Sequence, residues 1–155
     1  MRAPNSNNRG DNRVQEVSEI TQGLKALAKE LGVFDRVTFL GNQSHEELPK
    51  ILHASDAFIR PSITEGLGNA FLEAMAVGLP TIGTRVGGIP DFLHEGETGL
   101  FCKVRDHISI ADAVAKYVKN PELYKTIQDK GQKIVLEKYS WNKIASQMDR
   151  VFKNM

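Results

Sequence analysis

From Pro61 to Thr84 the chain reads Pro-Ser-Ile-Thr-Glu-Gly-Leu-Gly-Asn-Ala-Phe-Leu-Glu-Ala-Met-Ala-Val-Gly-Leu-Pro-Thr-Ile-Gly-Thr. A polar loop broken by Gly66 and Gly68 runs into a helix that starts near Gly68 or Asn69. Glycine allows positive φ and lets a ligand approach the main chain closely. The first amides of a helix have no partner within it and carry the positive end of its dipole, a ready site for phosphate or sugar oxygens. From Ala70 to Leu79 the only polar side chain is Glu73. A helix apolar all round is a buried helix, which predicts a buried Glu73 carboxylate. Helical side chains lean toward the N-terminus, so Glu73 can point back at whatever the loop holds. Two vicinal hydroxyls, such as those of a ribose, suit one carboxylate, and Glu65 on the loop could hold a second set. The chemistry also admits a structural alternative: Glu73 paired with Arg60 or Arg85, in a strand-to-helix turn that binds nothing.

Working outward, Val14, Val17, Ile20, Leu24, Leu27 and Leu31 fall at helical spacing, predicting a helix over Arg13–Leu31 ended by Gly32. Val37–Leu40 is a short apolar run closed by Gly41 and predicts a strand. Ser44 with Glu47 three residues on is a capping box, opening a helix to about Ala54 that Pro49 should kink. Strands are expected at Asp56–Arg60, Pro80–Gly83 and Leu100–Lys103. A helical segment is expected at Asp91–His94, and helices at Asp106–Lys119, Pro121–Lys138 and after Ser140. This order of elements argues an α/β fold, a Rossmann-like parallel sheet with helices on both faces. Such sheets bind ligands beyond the carboxyl ends of their strands, so the loops after Gly41, Pro61 and Thr84 are expected on one edge.

The 155 residues are enough for one domain with a real core. A net charge of +1 gives no sign of a nucleic-acid partner. No apolar run approaches membrane-span length and no secretory leader is legible, so a cytoplasmic protein is expected. Residues 1–12, polar and rich in Asn and Arg, read as a disordered tail. With one cysteine, Cys102, an internal disulfide is impossible; it reads as a core residue. His45, His53, His94 and His107 lack metal-ligand spacing and read as surface residues. No metal site, cofactor or nucleophile–base constellation is assigned.

The motif as a whole resembles the signature of retaining glycosyltransferases of the glycogen synthase and sucrose synthase type, which have the two-domain GT-B architecture. Those enzymes carry Pro-Ser, then Glu-Gly-Phe-Gly, then Leu-Glu-Ala-Met-Ala-x-Gly-x-Pro; here Leu67 replaces the Phe. The resemblance continues in Val37-Thr-Phe-Leu-Gly41, Gly87-Gly-Ile-Pro90, Gly96-Glu-Thr-Gly99 and Tyr139-Ser-Trp141, and covers about Val14 to Phe152. Two positions depart from the pattern: Arg60 stands where an aliphatic residue is usual, and Asp91 replaces a glutamate. Arg60 could reach a pyrophosphate or form a structural salt bridge.

The resemblance implies that residues 13–155 are a partial Rossmann-like nucleotide-sugar-binding domain, the C-terminal half of a GT-B fold with its first strands missing. It implies donor contacts from Glu65, Gly66, Leu67, Gly68 and Asn69, ribose contacts from Glu73, and a nucleobase near Asn42 and Gln43. The donor would be a UDP- or GDP-sugar. Front-face retaining transfer, as described for such enzymes, needs no protein nucleophile. The two strands expected between Val37–Leu40 and Asp56–Arg60 in the sheet, with the basic pair that grips the pyrophosphate, are not legible, and neither is the acceptor-binding N-terminal domain. The expectation is therefore the donor-binding portion of a glycosyltransferase, inactive alone, that meets its missing N-terminal domain or self-associates through open strand edges. The alternatives are a non-catalytic nucleotide-sugar-binding module or trans-acting subunit, and a purely structural α/β domain. Epimerases and phosphorylases share the fold.

Overall fold

A computed structural model describes residues 8–153, which fall into two units, one up to Gln43 and one from Ser44. In the first unit, helix α1 (Asn8–Glu30) begins earlier than the spacing predicts, so residues 8–12 lie within it; residues 1–7 of the expected tail lie outside the described residues. Gly32, at φ 67°, ends the helix. The Val33 amide returns to the Ala28 carbonyl and the Gly32 amide to Lys29, a paired closure that satisfies the last carbonyls. A 3₁₀ turn at Phe34–Arg36 follows. The Lys29 ammonium lies 5.1 Å from the Phe34 ring centre and that of Lys25 5.4 Å from Phe39. The strand expected at Val37–Leu40 does not form: the segment is extended but belongs to no ladder. An extended segment becomes a strand only when a neighbouring strand takes its amides and carbonyls, and among the described residues no strand does.

The second unit opens with a turn in which the Ser44 hydroxyl accepts the Glu47 amide at 3.2 Å. The capping box is only half made, because the Glu47 carboxylate turns to Lys50 at 2.7 Å instead. Helix α2 (Leu48–His53) carries Pro49 in its first turn. The expected kink is therefore absent: in the first turn the missing N–H of proline costs no hydrogen bond.

Three parallel strands follow, β1 (Phe58–Arg60), β2 (Thr81–Gly83) and β3 (Leu100–Phe101), in the order β1-β2-β3. Ile59 faces Ile82, and Gly83 faces both Arg60 and Phe101. Helix α3 (Asn69–Ala76) crosses between β1 and β2. Helices α4 (His107–Lys119), α5 (Pro121–Lys138) and α6 (Trp141–Lys153) complete the chain. The helical segment expected at Asp91–His94 is a 3₁₀ turn at Ile89–Asp91.

Strand residues alternate faces, and the two faces of β2 have different cores. Ile82 joins Leu100, Cys102, Ala113, Tyr117 and Ile127, on the side of α4. Gly83 is packed by Phe71 and Leu93, where an added Cβ would lie within 2.8 Å of the Phe71 ring. Phe71, Met75, Ile89, Phe92, Leu93 and Val135 form that second cluster. Helix α5 serves both, through Ile127 and Val135. Phe71 is fully buried and meets Phe58 edge-on at 5.2 Å. Burying such a ring contributes roughly 1.5–3 kcal/mol. The result is a parallel sheet with helices on both faces.

Candidate functional site

The chain leaving β1 and the chain leaving β2 are tied together at the carboxyl edge of the sheet. The Thr84 hydroxyl donates to the Ser62 carbonyl at 2.6 Å, and the Gly88 amide to the Gly66 carbonyl at 2.8 Å. Gly87, at φ 53°, lies so close to the first loop that any Cβ there would overlap the Glu65 carbonyl oxygen. Only glycine permits both the conformation and the contact. The loops after Pro61 and Thr84 thus share one edge as expected; the loop after Gly41 belongs to the other unit.

Within the first loop, Glu65 is the sequestered glutamate, with its side chain 15% exposed. Its Oε2 accepts from the Ser62 hydroxyl at 2.9 Å and lies 3.2 Å from Arg60 Nε. Arg60 therefore makes a structural salt bridge. One carboxylate oxygen is thereby held, which fixes the group, and Oε1 has no ion-pair or hydrogen-bond partner among the described residues. Gly68 takes the left-handed conformation, at φ 83°, that turns the loop into α3. Gly66 does not adopt positive φ. Leu67 and Asn69 are exposed beside it, so Glu65, Gly66, Leu67, Gly68 and Asn69 form one continuous loop at the start of α3.

Glu73 overturns the burial expectation. It is exposed, and among the described residues it makes no ion pair. Its neighbours on α3 explain why: Phe71, Ala74 and Met75 take the buried face and Leu72, Ala76 and Val77 are only partly buried, so α3 is amphipathic by position although nearly uniform in composition. Neither Arg60 nor Arg85 is its partner; the Arg85 guanidinium lies over Phe101 instead, 3.8 Å from the ring centre. Glu73 stands at a cleft of about 260 Å³ lined otherwise by His45, Leu48, Pro49, Leu52, Ala76 and Val77. An unpaired carboxylate beside an apolar slot can accept from two hydroxyls of a ligand whose flat part lies in the slot.

Asn42 and Gln43 lie in the first unit and are exposed; the Gln43 amide donates to the Leu40 carbonyl at 2.5 Å. Ser62 and Thr84 were given no bonding role from the sequence, although Thr84 and the Gly87-Gly88 pair flagged the second loop, and His45, read as a surface residue, lines the cleft. All four histidines are exposed, Cys102 is buried, and among the described residues no three His, Cys, Asp or Glu side chains are grouped for a metal.

Known proteins share this fold. N-acetyl-alpha-D-glucosaminyl L-malate synthase of Bacillus anthracis is 39% identical over 126 residues, covering 81% of this chain and 32% of that protein. Sucrose-phosphate synthase of Thermosynechococcus elongatus superposes with a TM-score of 0.79 at 32% identity, over 86% of this chain and 33% of that one. The Anabaena protein HepE, solved in complex with UDP, shares the fold with a TM-score of 0.84 at 22% identity, over 89% of this chain and 38% of that one. The chain spans about a third of the length of these relatives. Residues 18–134 match the family model described as glycosyl transferases group 1, and the chain belongs to that family, with the α/β architecture of its GT-B members.

Proposed function

We propose that the chain is the donor-binding portion of a retaining glycosyltransferase, which takes a sugar from a UDP- or GDP-sugar and is inactive by itself. The observation that carries this is the pair of glutamates. Glu65 is held by Arg60 and Ser62 with one oxygen free, and Glu73 stands unpaired a turn into α3 beside an apolar cleft. In this reading Glu65 and the amides from Gly66 to Asn69 hold the donor sugar. Glu73 accepts from the ribose hydroxyls, with the nucleoside against Leu48 and Val77. Asn42 and Gln43 would approach the base. UDP bound to a protein of the same fold supports the ligand class. No side chain here is assigned as nucleophile: the work is positioning and charge stabilisation. The acceptor-binding site and much of the catalytic surface would come from a partner domain.

Calorimetric titration with UDP, GDP and ADP and their glucose or mannose conjugates tests the reading. Saturable binding of one nucleotide series is expected, with no sugar transfer to an added acceptor. Absence of binding by every nucleotide removes the donor site. Transfer by the chain alone removes the claim that it is inactive; binding without transfer in the presence of any N-terminal partner would favour the non-catalytic module.

A further inference from the structure

A second cleft, of about 330 Å³, opens at the carboxyl ends of β2 and β3 and is lined by Arg85, Phe101, Cys102, Lys103 and Val104. Its floor is rigidly held. The Cys102 amide donates to the Gly83 carbonyl at 2.8 Å, and the Lys103 amide to the Ser109 hydroxyl at 2.8 Å. Arg85 leaves the neighbouring strand end and lies over the Phe101 ring. A guanidinium set against an aromatic face is weakly hydrated and still has donors for a planar oxyanion. Among the described residues neither Arg85, Lys103 nor the adjacent Arg105 is in an ion pair.

The nearby acids are engaged elsewhere. Glu95 accepts the Phe101 amide at 2.7 Å and lies 3.6 Å from Lys116, and Asp106 caps α4 through the Ser109 amide at 3.0 Å. Burial pushes the Cys102 thiol up from its ordinary value, so it adds no negative charge at neutral pH. The cleft therefore has cations in no ion pair and an apolar wall of Phe101 and Val104; the Asp106 charge felt at Cys102 is held by the Ser109 amide at the start of α4.

We infer that this cleft is a second binding site, for a carboxylate or phosphate carried on a small organic molecule, gripped by Arg85 and Lys103 against Phe101. Arg85 follows Thr84, whose hydroxyl is bonded to the Ser62 carbonyl of the other loop. Both sites therefore stand on one stitched pair of loops.

The test is a titration of the full chain, followed by backbone amide chemical shifts, with inorganic phosphate and with succinate, each alone and in saturating UDP. The amides of Arg85 and of 101–104 should shift saturably with at least one anion, whether or not UDP is present. Arg85→Gln and Lys103→Gln, both at exposed positions, should each weaken that binding about tenfold, leaving UDP-induced shifts at Glu65 to Glu73 unchanged. No saturable shift at 101–104, or unchanged affinity in Arg85→Gln, overturns the site. Displacement of the anion by UDP also overturns it, assigning the cleft to the nucleotide's diphosphate. Anion binding at Arg85 in a chain that ignores every nucleotide keeps the cleft as an oxyanion site and overturns the donor reading alone.

Discussion

Leu24 of α1 and Phe71 of α3 sit in helices that both carry apolar residues at helical spacing, yet Leu24 is 51% exposed and Phe71 is fully buried. Along α1 and just past its end, Val17, Ile20, Leu24, Leu27 and Leu31 are all exposed. Along α3 the stripe meets β2, Phe92 and α5. Apolar periodicity states that a helix has a face to bury; it does not state that the partner lies within the same packed unit. The same contrast holds for the strands. Thr81–Gly83 is paired on both sides, whereas Val37–Leu40 has no ladder and Ile59 on the edge strand β1 is half exposed.

The most severe break of this comparison is Phe71→Ala. It removes a ring that touches Phe58 and Phe92 and leaves a cavity, so a loss of about 3–5 kcal/mol is expected in denaturant unfolding. A loss under about 1 kcal/mol would mean that α3 is not the packed element described here.

Glu73→Gln separates burial from binding on that same helix. With Glu73 exposed and unpaired, the melting temperature should hold, and nucleotide affinity should fall by roughly 1.5–3 kcal/mol, the worth of hydrogen bonds to a charged group. A large fall in stability with unchanged affinity would restore the structural reading of this residue.

Arg60→Gln probes the other glutamate. The pair is partly exposed, so its removal should cost no more than about 1 kcal/mol of stability. Glu65 would then lose its orientation, and donor-sugar discrimination, read as the ratio of UDP-glucose to UDP affinity, should shrink more than UDP affinity does. Equal loss for both ligands would place Arg60 on the nucleotide rather than behind Glu65.

The smallest effect is expected for Leu24→Ala. At an exposed site the change should stay within about 0.5 kcal/mol. A loss above about 2 kcal/mol that grows with protein concentration would show that a second copy covers the exposed apolar stripe of α1; sedimentation of the parent chain over a concentration series would then show association.

Much of the site was legible because its constraints are local. Gly68 had to be glycine to turn left-handed into α3, and Glu65 and Glu73 stand at a spacing fixed by the loop and one helical turn. The stitched contact between Gly87 and Glu65 was not legible, because it joins residues far apart in the chain. Nor was the exchange of environments between the two glutamates. Composition marked α3 as buried all round, but a helix lying on a sheet turns one side outward, and Glu73 is on that side.

The amino-acid sequence alone determined the order of strands and helices around the second loop, the parallel α/β class and the family signature, because periodicity, capping and glycine placement act over a few residues. It did not decide which apolar segments would pair, whether Pro49 would bend or begin a helix, or that Arg60 would hold Glu65 while Arg85 lay over Phe101. Those depend on which side chains the packed sheet brings within a few ångströms of one another, and only the tertiary structure specifies that.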